Sequence, residues 1–180
     1  DWSSDVCSSD LKRRPIFFCN ATRLLADSFP ESEGTDMNST TSATWAGGCH
    51  CTKVRFEVIG PVRGSVYCHC RQCLHLHGHF VAYSQAHRRD LTITDENAIH
   101  WYRASAAAQR GFCRHCGTRL FWAPDNGDAV SIASGAFDPA KVPPAVGHIF
   151  ASTAPAYYTF DDGLPRFDAE WQGDPPWFEG

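Results

Sequence analysis

The chain has 180 residues, 43% of them hydrophobic, and a formal net charge of -4; this suits a single globular domain with or without a tail. The acidic balance, with no basic cluster beyond Lys12, Arg13 and Arg14, argues against a nucleic-acid footprint. No run of about 18 apolar residues exists to cross a membrane as a helix.

Residues 1 to 36 are rich in Ser and Asp, lack sustained periodicity and precede Met37, the single methionine. Asp1 to Leu11 resembles the read-through translation of a sequencing adapter. The natural start is therefore expected at Met37, with residues 1–44 a disordered or non-native leader and no role for Cys7 or Cys19. The basic run is followed by an apolar stretch, Pro15 to Cys19, shorter than the roughly 7 residues that an export signal needs. A cytoplasmic, reducing compartment is expected, where clustered cysteines read as metal or catalytic thiols rather than disulfides.

Residues 45–168 are expected to form the domain body. Met37 to Thr44 reads as loose, and Gly47-Gly48 as a tight turn into the first thiol pair. Val54, Phe56 and Val58 alternate with Arg55 and Glu57, the period of a half-buried strand that ends at Gly60-Pro61. Gly64 to Tyr67 predicts a second strand, and residues 70 to 77 one helical turn. Phe80 to Tyr83, Leu91 to Thr94 and Ile99 to Arg103 predict strands separated by polar stretches at 84–90 and 95–98. Ala104 to Ala108 is too short to nucleate a helix and reads as a loop.

Gln109 to Cys113 leads into the last thiol pair, and Leu120 to Trp122 reads as a strand. Asn126-Gly127 centres a hairpin turn whose partner strand is Ala129 to Ala133, and Val146 to Phe150 is the last strand expected. Beyond it the chain is Pro- and Trp-rich, with residues 169–180 an irregular tail. About nine short strands with regular turn signals predict an all-β, β-rich small domain stabilised by zinc.

The thiols carry the chemistry. Cys49 and Cys51, then Cys68, Cys70 and Cys73, then Cys113 and Cys116 come as two, three and two. Zinc takes four thiolates tetrahedrally from two short knuckles distant in sequence, which Cys49, Cys51, Cys113 and Cys116 supply as a structural site. Gly117 stands where the second knuckle must turn back. Cys68, Cys70 and Cys73 remain as ligands of a second zinc, giving two Zn2+ per chain, and three protein ligands leave a fourth position open, as at catalytic zinc. His69, His75, His77, His79 or His115 would be alternative fourth ligands, although each reads more plainly as a surface or hydrogen-bonded histidine. A thiolate-rich zinc favours a soft ligand, and a bound thiol would become a nucleophile at neutral pH. Phe80, Tyr83 and Trp122 are candidate pocket walls, more plainly read as core aromatics.

Gly47-Gly48-Cys49-His50-Cys51, Cys68-His69-Cys70-Arg71-Gln72-Cys73, Gly78-His79-Phe80 and Arg110-Gly111-Phe112-Cys113-Arg114-His115-Cys116-Gly117 together resemble the glutathione-dependent formaldehyde-activating enzyme family. His148-Ile149-Phe150 and Asp161 to Phe167 are also similar to it. The resemblance runs from about Gly47 to Phe167 and implies an Mss4-like fold with the two zinc sites on the residues above. It also implies a carbon-sulfur lyase or synthase that joins a small thiol, glutathione, to a small aldehyde, formaldehyde, giving S-hydroxymethylglutathione. Leu74 and His75 depart from the basic residues many relatives carry after the third thiol. The reading from another class is a non-catalytic zinc module that binds a protein partner or acts as a chaperone.

Overall fold

The computed structural model describes residues 44–179. Residues 1–43 of the expected leader, with Met37, Cys7, Cys19 and the basic run at 12–14, lie outside the described residues; Thr44, expected to be loose, instead opens the first strand. Three strands, β1 (Thr44–Gly48), β2 (Arg55–Ile59) and β5 (Leu91–Ile93), form a small antiparallel sheet in the order β1-β2-β5. The remaining strands are β3 (Val62–Cys68), β4 (Val81–His87), β6 (Ile99–Ser105), β7 (Ala108–Cys113), β8 (Arg119–Pro124), β9 (Ala129–Ala133), β10 (Ala145–Ile149) and β11 (Trp177–Phe178).

These strands make a second sheet in the order β10-β3-β4-β9-β8-β7-β6, with β11 added on β3. The pairing of β10 with β3 is parallel and sets His148 beside Tyr67 and Ile149 beside Cys68. One short helix, α1 (Arg71–His77), follows β3. The all-β expectation holds, because alternating apolar residues and frequent turn signals leave little room for helix.

The two sheets share a core. Phe56 of β2 packs edge-on against Phe121 of β8 at 5.8 Å between ring centroids and against Phe137 at 5.3 Å. Val54, Val58, Leu120 and Ile132 are buried around them. The Asn126-Gly127 turn joins β8 to β9 as expected, whereas the loop expected over Ala104 to Ala108 shrinks to Ala106-Ala107, because Ser105 and Ala108 pair across β6 and β7.

Three other stretches also differ from expectation. Gly47-Gly48 is not a turn but the end of β1, paired with Phe56 and Arg55 of β2. Packing overrides the weak strand propensity of glycine here: a Cβ on Gly47 would stand 2.2 Å from the Ala136 carbonyl oxygen and 2.5 Å from the Phe56 ring. The tight turn lies further on, at Thr52, whose φ is 62°. Next, β4 runs on to His87 through the stretch expected to be a polar separator, because Ser84 and Ala86 are fully buried and β9 pairs with all five residues from Tyr83 to His87. Finally, the C-terminal stretch is not wholly irregular, since Trp177 and Phe178 pair with Arg63 and Val62.

Gly47→Ala is expected to lower stability by about 1–3 kcal/mol, the usual cost of overpacking a tight site. Urea unfolding of the variant and the wild type under the same conditions measures this, and an unchanged midpoint would show that β1 has room to move.

Candidate metal centres and the adjoining cavity

Cys49 leaves β1 and Cys51 sits at the tip of the loop before β2, while Cys113 ends β7 and Cys116 lies in the turn before β8. Backbone bonds shape each knuckle. Cys49 N–H donates to the Val54 carbonyl at 2.9 Å and Thr52 N–H to the Cys49 carbonyl at 3.0 Å. In the second knuckle Gly117 N–H donates to the Cys113 carbonyl at 2.8 Å. Gly117 has φ 74°, the left-handed conformation glycine adopts without steric cost.

The four sulfurs lie within 4.8 Å of one another. Cys49 Sγ is 3.5 Å from Cys51 Sγ, which is 3.7 Å from Cys113 Sγ. Four ligands at about 2.3 Å on a tetrahedron stand about 3.8 Å apart, so this donor set fits a zinc ion. Thr118 ties the knuckles together: its hydroxyl accepts from His50 N–H at 3.1 Å and lies 3.2 Å from Cys116 Sγ. That hydroxyl, helped by the Thr118 N–H, holds the Cys116 thiol down at about 5.

Cys68 ends β3, and Cys70 is the N-cap of α1, its sulfur accepting from Cys73 N–H at 3.4 Å. Gly78, in the left-handed conformation, closes the helix by donating to the Leu74 carbonyl. This capped turn puts Cys70 and Cys73 on one side of a helix start. Their sulfurs and that of Cys68 also lie within 4.8 Å of one another, with Cys68 and Cys73 3.5 Å apart.

The three thiols act on one another, Cys73 Sγ donating to Cys68 Sγ. Cys68 and then Cys73 push Cys70 down to about 2, helped by the N–H groups of Cys73 and Gln72. Cys68 in turn is pushed up by Cys70, Cys73 and burial. Without a cation three adjacent thiolates repel one another; a divalent ion in their midst would let all three ionise and would release protons on binding.

No histidine nitrogen joins either sulfur group among the described residues. His75 and His115 are exposed, and His79 Nδ1 accepts from Phe80 N–H at 2.7 Å. His77 Nε2 lies 3.4 Å from the Tyr83 hydroxyl. His69 is fully buried and faces away from the sulfurs: its Nε2 pairs with His148 Nδ1 at 2.9 Å, and His148 Nε2 with an Asp162 carboxylate oxygen at 2.9 Å. Burial, then the His148 charge, pulls His69 down to about 4. This Asp-His-His chain gave no spacing signal, because His69 and His148 are 79 residues apart.

The three sulfurs form part of the wall of a cavity of about 500 Å3. Tyr83 and Trp122 line it as the aromatic expectation allowed, together with Arg63, Gln85, Arg110 and Trp171. Phe80 does not; it packs on Tyr67, His69 and Tyr158 instead. Arg63 was not singled out from the sequence, since a lone Arg in a strand carries no pattern, and Arg110 stood in the Arg110-to-Gly117 motif with no role attached. Burial pulls Arg63 down to about 10 and pushes the Tyr83 hydroxyl up to about 12.

Residues 44–153 match the family described as glutathione-dependent formaldehyde-activating enzyme. An uncharacterized lyase of Schizosaccharomyces pombe is 29% identical over 84 residues, which cover 46% of this chain and 60% of that protein's length. A crystal structure of a Rhodobacter sphaeroides protein is similar with a TM-score of 0.43 and 23% identity, covering 56% of this chain and 99% of that one.

His77 also titrates low. Burial, reinforced by the charges of Arg110 and Arg119, pulls it down to about 4. The folded protein thus holds His77 neutral where the unfolded chain, with a value near 6.5, takes up a proton. Its contribution to stability is complete above about 6.5 and is lost as pH falls towards 4. Urea midpoints of the wild type should drop more between pH 7.5 and 5 than those of His77→Gln; equal drops would contradict this assignment.

Proposed function

The chain belongs to the glutathione-dependent formaldehyde-activating enzyme family, and from that membership we propose that it adds a small thiol to a small aldehyde, with glutathione and formaldehyde as the pair. In the forward direction a sulfur-carbon bond forms, the carbonyl π bond breaks, and the thiol proton ends on the carbonyl oxygen. Nothing is oxidised or reduced. The reverse reaction cleaves a carbon-sulfur bond, which makes the activity that of a carbon-sulfur lyase.

The observation that carries this reading is the contrast between the two sulfur groups: one has four sulfurs, while the other has three and borders a cavity. We assign Cys49, Cys51, Cys113 and Cys116 to a structural zinc and Cys68, Cys70 and Cys73 to a second, reactive one. A zinc held by the three would bind an incoming thiol as thiolate, below its free pKa near 8.5.

The chain's own groups supply the rest. Cys70 is fixed at the start of α1, so the centre cannot shift without unwinding that turn. The cavity, at about 500 Å3, falls within the roughly 300–1,000 Å3 of small-ligand sites. Tyr83, Trp122 and Trp171 give it a partly apolar wall. Tyr83 stays protonated at neutral pH and accepts from Arg110 Nη1 at 3.2 Å; its own O–H, 3.4 Å from His77 Nε2, would turn from that contact to donate to the aldehyde oxygen. The Arg63 guanidinium, held by the Tyr83 carbonyl at 2.7 Å, is placed to meet a carboxylate of the thiol substrate where Leu74 and His75 offer none.

Purified protein should hold about two zinc ions per chain and accelerate glutathione-formaldehyde exchange seen by NMR. Cys70→Ser should abolish that acceleration while the fold persists, since the four-sulfur group still joins the sheets; Cys113→Ser should unfold the domain. Full zinc loading with no acceleration would count against catalysis and favour a binding module.

A further inference from the structure

Arg110, in β7, is only 5% exposed. Its Nη1 donates to the Tyr83 hydroxyl, and its Nη2 to Gln72 Oε1 at 2.7 Å and to Cys73 Sγ at 3.7 Å. Its Nε is buried with no hydrogen-bond partner. None of the ion pairs among the described residues includes it. Glu170 lines the same cavity but is exposed and forms no ion pair with it.

A guanidinium is charged at every physiological pH and is strongly disfavoured in a protein interior without a counter-charge. Two of the groups that Arg110 touches, a phenol and an amide, are neutral. The third is a sulfur of the three-thiol centre. Three thiolates around a divalent cation sum to one net negative charge, and burial of Cys68 and Cys73 removes the water that would screen it. The four-sulfur group differs: Cys116 is exposed to water, and Arg55, whose charge reaches Cys49, is paired with Asp138 rather than with any of its sulfurs.

We propose that Arg110 is the counter-charge of the three-sulfur centre and biases its open position towards an anionic ligand, a thiolate, over a neutral one. This rests on the reading that Cys68, Cys70 and Cys73 hold a metal with an open position. A thiolate in that position adds a second net negative charge, and the charge beside Cys73 offsets the repulsion. A neutral ligand adds none and gains nothing from Arg110. Arg110 thus acts through the sulfurs, as a positioning residue.

The test uses the full chain loaded with cobalt(II), whose absorption reports both centres, so the four-sulfur signature doubles as a check on folding. The probes are 2-mercaptoethanol, which carries no carboxylate, and imidazole, which binds uncharged. Relative to wild type, Arg110→Gln should weaken mercaptoethanol binding about tenfold or more and imidazole binding by no more than about twofold, as expected for the loss of one nearby charge. Arg110→Lys should retain most of the preference for the thiol.

Equal losses for both probes would mean that Arg110 merely packs, and unchanged mercaptoethanol binding would likewise overturn the proposal. Should Arg110→Gln lose the four-sulfur signature, Arg110→Lys decides alone: a preserved thiol preference supports the proposal and a lost one overturns it. A wild-type centre that takes up neither probe would instead remove the open-position reading, and this inference with it.

Discussion

Cys51 and Cys113 are 62 residues apart in sequence, and their sulfurs are 3.7 Å apart in space. One comes from the small sheet and the other from the large one, so this contact fixes how the two sheets meet. Phe56 against Phe121 and Phe137 then fills the space that the knuckles define. A domain of this size buries a modest core, and cross-linking its two sheets through a metal would add on the order of 10 kcal/mol or more of binding free energy to folding. The Thr118 hydroxyl, set between His50 N–H and the Cys116 sulfur, shows how closely the backbone of one knuckle answers the other.

The second sulfur group is built differently. It draws on one continuous stretch, the end of β3 and the first turn of α1, and needs no distant partner to assemble. What distant elements contribute is its surroundings. β7 brings Arg110, β4 brings Tyr83 and Gln85, β8 brings Trp122, and the chain beyond β10 brings Trp171. Behind it, β10 runs parallel to β3 and carries His148 to His69, whose backbone N–H also donates to the Ile149 carbonyl at 3.0 Å. The stretch holding the three thiols is thereby clamped against β10, and His69 serves this clamp rather than the sulfur group.

Most of the strands were legible because their residues alternate, as Val54, Phe56 and Val58 do, and because glycines and the Asn126-Gly127 turn punctuate them. β1 was not, since Gly47 and Gly48 have no side-chain pattern and their extended conformation comes from the close approach of Ala136 and Phe56. The second half of β4 was missed for a related reason: Ser84 and Gln85 read as surface until β9 and β3 close over them. The two residues of β11 carry no periodicity at all and are a strand only because Val62 and Arg63 present an edge to them.

By itself the sequence determined the spacing of the thiols within each short stretch, which is enough to bring Cys68, Cys70 and Cys73 to a common point, whereas the meeting of Cys49 and Cys51 with Cys113 and Cys116 needs the two sheets. It also determined the all-β class, through residue alternation and turns. Only the tertiary structure decided that all five candidate histidines stay away from the thiols, that His69 turns instead to His148 and Asp162, and that Arg110 is buried against Cys73. Those outcomes depend on which strands become neighbours, and strand neighbours are set by the packing of the whole core rather than by any stretch of the chain.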